Sequence, residues 1–370
     1  MTKSIDGYIG ITLPVESTKS ADGATELYSH PQLKDIYDID NLYNGYLSAR
    51  KGKRNKKAIY EFENNLWQNL EHISQALKDK TYKPSKYREF TIYEPKKRVV
   101  IAPSFADSVV QHTIYTLIYP IFDRGFIDDS YGCRKGKGTH KASDRLQRSF
   151  RKSSGGDYYL QMDIEGYYYN VNHDILKDRI SRKIKDNELV DVIMLFVDFI
   201  KGVGLNIGNL LSQLFGLVYL DWFDHFAKRV LKVKHYVRYV DDFVMSGLSY
   251  TRAKQLLAKS IEFFGDKLKL KLSKFRIAKI KRGCNFVGYR TWRSKKYIRK
   301  RSLHHFSKAL KCLKYDVLVS LLGHAKHTST IGYFHFKIKE HLGCTTNTKY
   351  TKQRVLLARL YDTNQRMLSS

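Results

Sequence analysis

A chain of 370 residues, 42% hydrophobic and 13% aromatic, has ample material for a core, and this composition excludes an intrinsically disordered protein. No stretch of roughly 18 apolar residues occurs, so no membrane span is expected. Four cysteines without a CxxC pair (Cys133, Cys284, Cys312, Cys344) read as reduced thiols of a cytoplasmic protein, and the early Asp6 argues against a signal peptide. The formal net charge of +30 is uneven: three lysines face seven acids over residues 1–40, 39 basic groups face 26 acidic over 41–270, and 24 face 3 over 271–370. Positive charge this concentrated, interleaved with Tyr289, Trp292, Tyr297 and Phe306, suits a polyanion with stackable bases.

In chain order, residues 1–40 form an acidic extension with turn signals at Ser17 to Gly23. Residues 41–83 are expected to be helical, with Tyr60, Phe62, Leu66, Trp67, Leu70, Ile73 and Leu77 at threes and fours. Residues 86–101 alternate and predict a hairpin turning at Pro95-Lys96-Lys97. An apolar helix follows over 104–123, ending near Pro120. The basic loop Cys133 to His140 leads into a helix near 140–150. DYYLQMDI (157–164) predicts a strand and residues 173–201 a helix. KGVGLNIGN (201–209) is a glycine-rich loop before a long apolar helix over 210–231. HYVRYVDDFVMSG (235–247) predicts two strands around a charged turn, then a helix over 251–266 and a basic remainder of short strands and helices.

Two features carry chemistry. An apolar strand ends in Asp163, and two adjacent acids, Asp241 and Asp242, sit in a tight turn between apolar strands. A carboxylate beside a half-buried sheet is costly unless it is paired or meets a cation. Three such acids converging could hold two Mg²⁺ ions about 3.5–4 Å apart, the clamp used in in-line phosphoryl displacement. Oxygen donors with retained waters are what Mg²⁺ prefers. By contrast, CRKGKGTH (133–140) does not fit the GxxxxGK[ST] phosphate loop. His112, His140 and His324 have no acid or cysteine partners at metal spacing and read as structural.

The Tyr239-Val240-Asp241-Asp242 turn resembles the catalytic signature of reverse transcriptases, and the motifs around it follow in the same order. The strand ending at Asp163 resembles the first palm motif, LNIGNLLSQ (205–213) the second, LKLSKF (270–275) the motif after the catalytic hairpin, and FVGY (286–289) the primer-grip turn. REFTIYEPKKRVVIAPSFADSVVQH (88–112) and SYGCRKGKGTHKA (130–142) resemble fingers segments. The pattern is most similar to bacterial diversity-generating retroelement enzymes and to defence-associated, abortive-infection-like enzymes.

That resemblance implies an α+β right-hand polymerase with an antiparallel palm sheet: an extension over 1–40, fingers over 41–152, palm over 153–294 and a basic helical thumb over 295–370. It implies an RNA-directed DNA polymerase with Asp163, Asp241 and Asp242 as catalytic carboxylates. The metal ligands would be Asp163, the Ile164 carbonyl, Asp241 and Asp242, holding two Mg²⁺, with Mn²⁺ as a substitute. Tyr168 would be the steric gate against a ribose 2′-OH. Lys97 and Arg98 would clamp the dNTP triphosphate, Ile207 and Gly208 would lie beneath the nascent pair, and Lys274 would protonate pyrophosphate. Arg134, Lys135 and Lys137 would meet nucleic-acid phosphates, with Phe286, Gly288, Tyr289 and Trp292 at the primer grip.

Departures also bear on the reading. Ile207 stands where ordinary reverse transcriptases have Gln, Asn206 replaces a Pro, Leu211 a Thr, and Ser108 a common Arg. An aliphatic residue at 207 is usual in the diversity-generating type, whereas Asn206, Leu211, Ser108 and the extension favour an antiphage defence role with a non-coding RNA over an error-prone retroelement role. The expected partners are an RNA template or non-coding RNA, the DNA product, dNTPs and a second protein subunit or homo-oligomer, with no membrane. The extension is read either as a surface or partner-binding arm or as a segment occupying the nucleic-acid channel. A nucleic-acid-binding scaffold with an unused polymerase site is the rival of another class. A group II intron-type maturase is a weaker one, expected to need a longer thumb.

Overall fold

The spacing of apolar residues in the N-terminal third is realised as short helices in the computed structural model, which describes residues 30–85, 87–93, 98–197 and 202–344. The chain divides into two units. One is drawn from Met1–Gly136, Met162–Lys232 and Leu257–Lys274, the other from Lys137–Gln161, Val233–Leu256 and Phe275–Ser370. Helices and antiparallel hairpins together give the α+β class expected from the sequence.

In the first unit, α1 (Leu33–Tyr37) buries Leu33 and Ile36. The Leu33 N–H donates to Asp186 Oδ2 at 2.8 Å. Helix α2 (Ile39–Arg50) begins at Asp38, whose carboxylate accepts from the Asn41 N–H. The predicted stripe from Tyr60 to Leu77 is not one helix but two, α3 (Lys57–Glu63) and α4 (Leu66–Lys78). Asn64 and Asn65, both weak helix formers, interrupt it as a two-residue turn. The break turns the face, so Tyr60 and Trp67 are exposed while Leu70, Ile73 and Leu77 are buried.

Strands β1 (Arg88–Ile92) and β2 (Arg98–Ala102) pair antiparallel with Ile92 opposite Arg98. The turn predicted at 95–97, Lys97 included, lies outside the described residues. Helix α5 (Phe105–Asp123) is capped by Ser104 and continues three residues beyond Pro120. Its buried Asp107 accepts from Tyr82 Oη at 2.6 Å and from the Ser85 N–H at 3.0 Å, fixing the segment that enters the hairpin. Gly45 of α2 lies against α5 so closely that a Cβ there would stand 2.8 Å from the Val109 carbonyl oxygen.

Helix α6 (Thr139–Arg151) opens the second unit's share of the chain, and β3 (Tyr158–Ile164) runs from that unit into the first. The single helix expected over 173–201 is instead α7 (His173–Ser181) and α8 (Asn187–Leu195), because Asp186 caps α8 by accepting from the Leu189 N–H. Helix α9 (Leu210–His225) runs into a π-helical turn over Phe226–Val230.

Strands β4 (His235–Tyr239) and β5 (Asp242–Leu248) form a tight antiparallel hairpin. Helix α10 (Tyr250–Leu268) and β6 (Leu272–Lys279) follow, and the four-stranded sheet has the order β4-β5-β3-β6. In the second unit, β7 (Cys284–Phe286), β8 (Tyr289–Thr291) and β9 (Lys296–Ile298) make a small meander. Helices α11 (Lys300–Lys311), α12 (Tyr315–Ala325) and α13 (Ile331–Cys344) pack with it around Phe306 and Phe334, whose rings stack with centroids 3.6 Å apart. Burying each such ring contributes about 1.5–3 kcal/mol.

Candidate active site

The expected site residues fall in both units, and each unit builds its own share. In the first, β3 delivers Asp163, whose side chain is 27% exposed. Its Oδ2 accepts from Ser273 Oγ at 2.8 Å and lies 3.1 Å from Lys274 Nζ. Lys274, 72% exposed, therefore neutralises Asp163 loosely, as surface pairs do. Ile164 is buried beside it. The chain then turns at Gly166, whose φ of 50° suits glycine, into a 3-10 turn over Tyr167–Tyr169. The Tyr167 hydroxyl donates to the Gly216 carbonyl of α9. The Tyr168 carbonyl accepts from the Leu205 N–H at 2.6 Å.

That last bond joins Tyr168 to the loop that carries Ile207 and Gly208. The loop also meets the hairpin, since the Ile101 N–H donates to the Ile207 carbonyl at 3.0 Å. Gly208 has φ of 108°, and a Cβ there would stand 2.7 Å from Val100 Cγ1. Only glycine fits both the backbone and the space. Tyr168, Ile207 and Gly208 are thus brought together with β2, whose first residue, Arg98, is exposed. Sequence reasoning noted Asn206 only as a replacement for Pro and missed its neighbour Asn209. The Asn206 carboxamide and Asn209 Nδ2 are buried beside this turn without a hydrogen-bond partner, although Asn209 Oδ1 caps α9 through the Leu211 N–H.

In the second unit, Tyr239 pairs with Asp242, which leaves Val240 and Asp241 as a two-residue turn. Val240 has φ of 54°, a conformation that costs a β-branched residue appreciably and is usually supplied by glycine in such a turn. Buried Arg238 donates from Nη1 to the Val240 carbonyl at 3.0 Å. Asp242 Oδ1 accepts from Gln161 Nε2 at 3.0 Å. The same amide donates to the Asn285 carbonyl at 2.8 Å, and Cys284 Sγ donates to Gln161 Oε1 at 3.4 Å. Burial pushes the Cys284 thiol far above its usual range, so it stays a neutral donor. Gln161 was also missed, though its signal was present: it precedes Asp163 by two residues on a strand, hence on the same face.

The β7–β8 turn has positive φ at both Val287 and Gly288, as a primed hairpin turn requires. Phe286 and Tyr289 are fully buried. They were expected to touch nucleic acid, but as placed they hold the turn from beneath. Tyr289 Oη lies 2.6 Å from His140 Nδ1 and 3.1 Å from His324 Nδ1. Burial, with His327 and His324 nearby, pushes the His140 imidazole down to about 4, which fits the structural role expected of both histidines. Trp292 is half-buried under the Arg290 guanidinium, 4.9 Å from its ring centroid.

Arg134 likewise departs from expectation. Its side chain is 8% exposed and donates to Asp123 Oδ1 at 2.7 Å and the Ile127 carbonyl at 2.7 Å, so its guanidinium is engaged internally rather than offered to a phosphate. Lys135 is exposed, with Nζ 5.6 Å from the Tyr119 ring centroid, and Lys137 is half-buried.

Among the described residues, no three His, Cys, Asp or Glu side chains form a ready-made metal cage. The donor chemistry nonetheless fits Mg²⁺. That ion is usually held by one or two carboxylates with waters and substrate phosphates rather than by an all-protein cage; Asp163 in the first unit, and Asp241 and Asp242 in the second, each present partly exposed carboxylate oxygens. Among the described residues no helix is long and apolar enough to cross a membrane.

Comparison with known proteins shows the family to which the chain belongs. The family model described as "Reverse transcriptase (RNA-dependent DNA polymerase)" matches residues 83–291, more than half of the chain. The group II intron-encoded protein LtrA of Lactococcus lactis subsp. cremoris is 29% identical over 224 residues, 57% of this chain and 36% of its own length. Protein YkfC of Escherichia coli strain K12 is 25% identical over 284 residues, 63% of this chain and 72% of its own length. The chain thus spans only about a third of LtrA. A solved RNA-dependent RNA polymerase of a human picorbirnavirus, an insertion loop deletion mutant, has a TM-score of 0.49 at 13% identity, covering 75% of this chain and 62% of that one.

Proposed function

We propose that this chain, which belongs to the reverse transcriptase (RNA-dependent DNA polymerase) family, extends a DNA strand along an RNA template. The observation that carries the reading is the Val240–Asp241 turn, whose neighbour Asp242 is bonded to Gln161 on β3, the strand that carries Asp163. In this reading, residues 41–152 act as fingers, 153–294 as palm and 295–370 as thumb.

Asp163 and Asp241 hold divalent cations, with Asp242 and the Ile164 carbonyl in support. Bound Mg²⁺ supplies charge stabilisation for phosphoryl transfer. Tyr168 excludes a ribose 2′-OH, while Ile207 and Gly208 shape the floor beneath the nascent pair. Arg98, exposed at the start of β2, and Lys97 bind the triphosphate. Lys135, Lys137 and Trp292 bind the nucleic-acid strands. Lys274, whose Nζ lies 3.1 Å from Asp163 Oδ2, gives a proton to departing pyrophosphate.

For the biological setting we propose antiphage defence with a non-coding RNA, supported by Ser108, Asn206 and Leu211 at positions where ordinary family members differ. The diversity-generating retroelement role rests on the same motifs. A group II intron setting is favoured by one specific observation, the similarity to LtrA. Sequencing the RNA and DNA that co-purify with the protein separates the three: a dedicated non-coding RNA, a template repeat or an intron.

The activity itself is tested by dNTP incorporation with Mg²⁺ on the co-purified RNA. Wild type should incorporate and Asp241→Ala/Asp242→Ala should not. Equal background incorporation by both would favour a nucleic-acid-binding scaffold.

A further inference from the structure

We infer that Gly216 positions the Tyr168 ring and thereby sets the sugar selectivity of nucleotide addition; this rests on the reading of Tyr168 as the gate. Gly216 lies buried inside α9, where glycine costs about 0.8–1.0 kcal/mol relative to alanine. Helix propensity therefore argues against glycine here, and the surroundings show what favours it. A Cβ at Gly216 would stand 3.3 Å from Tyr168 Oη, 3.4 Å from Tyr168 Cζ and 3.4 Å from Tyr167 Cε1. The contact to Tyr168 Oη is tighter than most Cβ contacts, and the two at 3.4 Å lie at the edge of ordinary van der Waals contact.

The two tyrosines differ in burial. Tyr167 is fully buried and its hydroxyl is tied to the Gly216 carbonyl itself. The Tyr168 backbone is tied to Leu205, but its side chain is only half-buried. A methyl group at position 216 therefore displaces the Tyr168 ring away from α9 by a few tenths of an ångström, while the backbone stays in place. A gate works by the width it leaves beside the sugar, so a shift of this size alters discrimination without disturbing the carboxylates. Gly216 is a positioning residue: it acts through Tyr168 and touches no substrate.

The test compares kcat/KM for a dNTP and the matching rNTP, with thermal melting, for wild type, Gly216→Ala, Tyr168→Phe, their combination, and Tyr168→Ala. Gly216→Ala should change the dNTP-to-rNTP ratio at least threefold, chiefly through KM. Combined with Tyr168→Phe, which removes the nearest contact atom, it should change the ratio less than twofold relative to Tyr168→Phe alone. A Gly216→Ala protein that melts early and is restored by Tyr168→Phe also supports the contact; one that is not restored overturns it. A ratio within twofold of wild type for Gly216→Ala, while Tyr168→Ala abolishes discrimination, overturns the role of Gly216 alone. If Tyr168→Ala also leaves the ratio unchanged, the gate itself is overturned. A wild type that incorporates neither nucleotide fails the polymerase reading instead.

Discussion

Gln161 donates one amide hydrogen to Asp242 Oδ1 at 3.0 Å and the other to the Asn285 carbonyl at 2.8 Å. One side chain thus ties the acidic hairpin to the strand leading into the β7–β8 turn. A hydrogen bond to a charged group is worth about 1.5–3 kcal/mol. Gln161→Leu should therefore lower kcat roughly tenfold, about 1.4 kcal/mol, with little change in RNA affinity measured by filter binding in EDTA. Gln161→Glu, which sets a second carboxylate against Asp242, should be worse.

Val240→Gly relieves the left-handed strain. A Cβ in this region costs roughly 1–2 kcal/mol, and glycine adds roughly 0.5–1 kcal/mol of folding entropy cost. The expected net is a gain of up to about 1.5 kcal/mol in denaturant unfolding. Incorporation should fall at the same time, because the turn that aims Asp241 loses its stiffness.

Arg134→Ala should destabilise the fold by about 3 kcal/mol, since it leaves Asp123 with only the Tyr119 hydroxyl among the described residues and removes bonds to three backbone carbonyls, those of Asp123, Ile127 and Ser130. The salt dependence of RNA binding should be unchanged. Lys135→Ala should do the reverse, leaving melting in place and reducing the slope of log affinity against log salt by about one.

The His140 imidazole faces Tyr289, His324, His327, Lys296 and Asp144. Burial holds its pKa near 4, below the ordinary value near 6.5. As pH falls through 6.5 the unfolded chain binds the proton first, so stability is complete above about 6.5 and declines toward 4. His112, also pushed down to about 4 by burial, adds in the same direction. The melting temperature should drop across this window, and His140→Asn, which keeps a polar partner for Tyr289, should flatten part of the drop.

The positions and types of the elements were largely legible, because periods of two and 3.6 are written into the order of side chains. The strand ending at Asp163, the hairpin at Asp241 and the apolar α9 all follow from pattern. The breaks at Asn64–Asn65 and Asp186 were not read, since capping residues act against the hydrophobic period that revealed the helices. At the site, residue identity named the carboxylates and Tyr168 but could not say which neighbours hold them. Gln161 beside Asp242, Ser273 beside Asp163 and Gly216 beneath Tyr168 are separated from their partners by 81, 110 and 48 residues in the chain. Likewise, Arg134, Phe286 and Tyr289 looked like nucleic-acid contacts by motif. Burial assigned them to the scaffold instead, because whether a side chain meets solvent or core is decided by packing from distant segments.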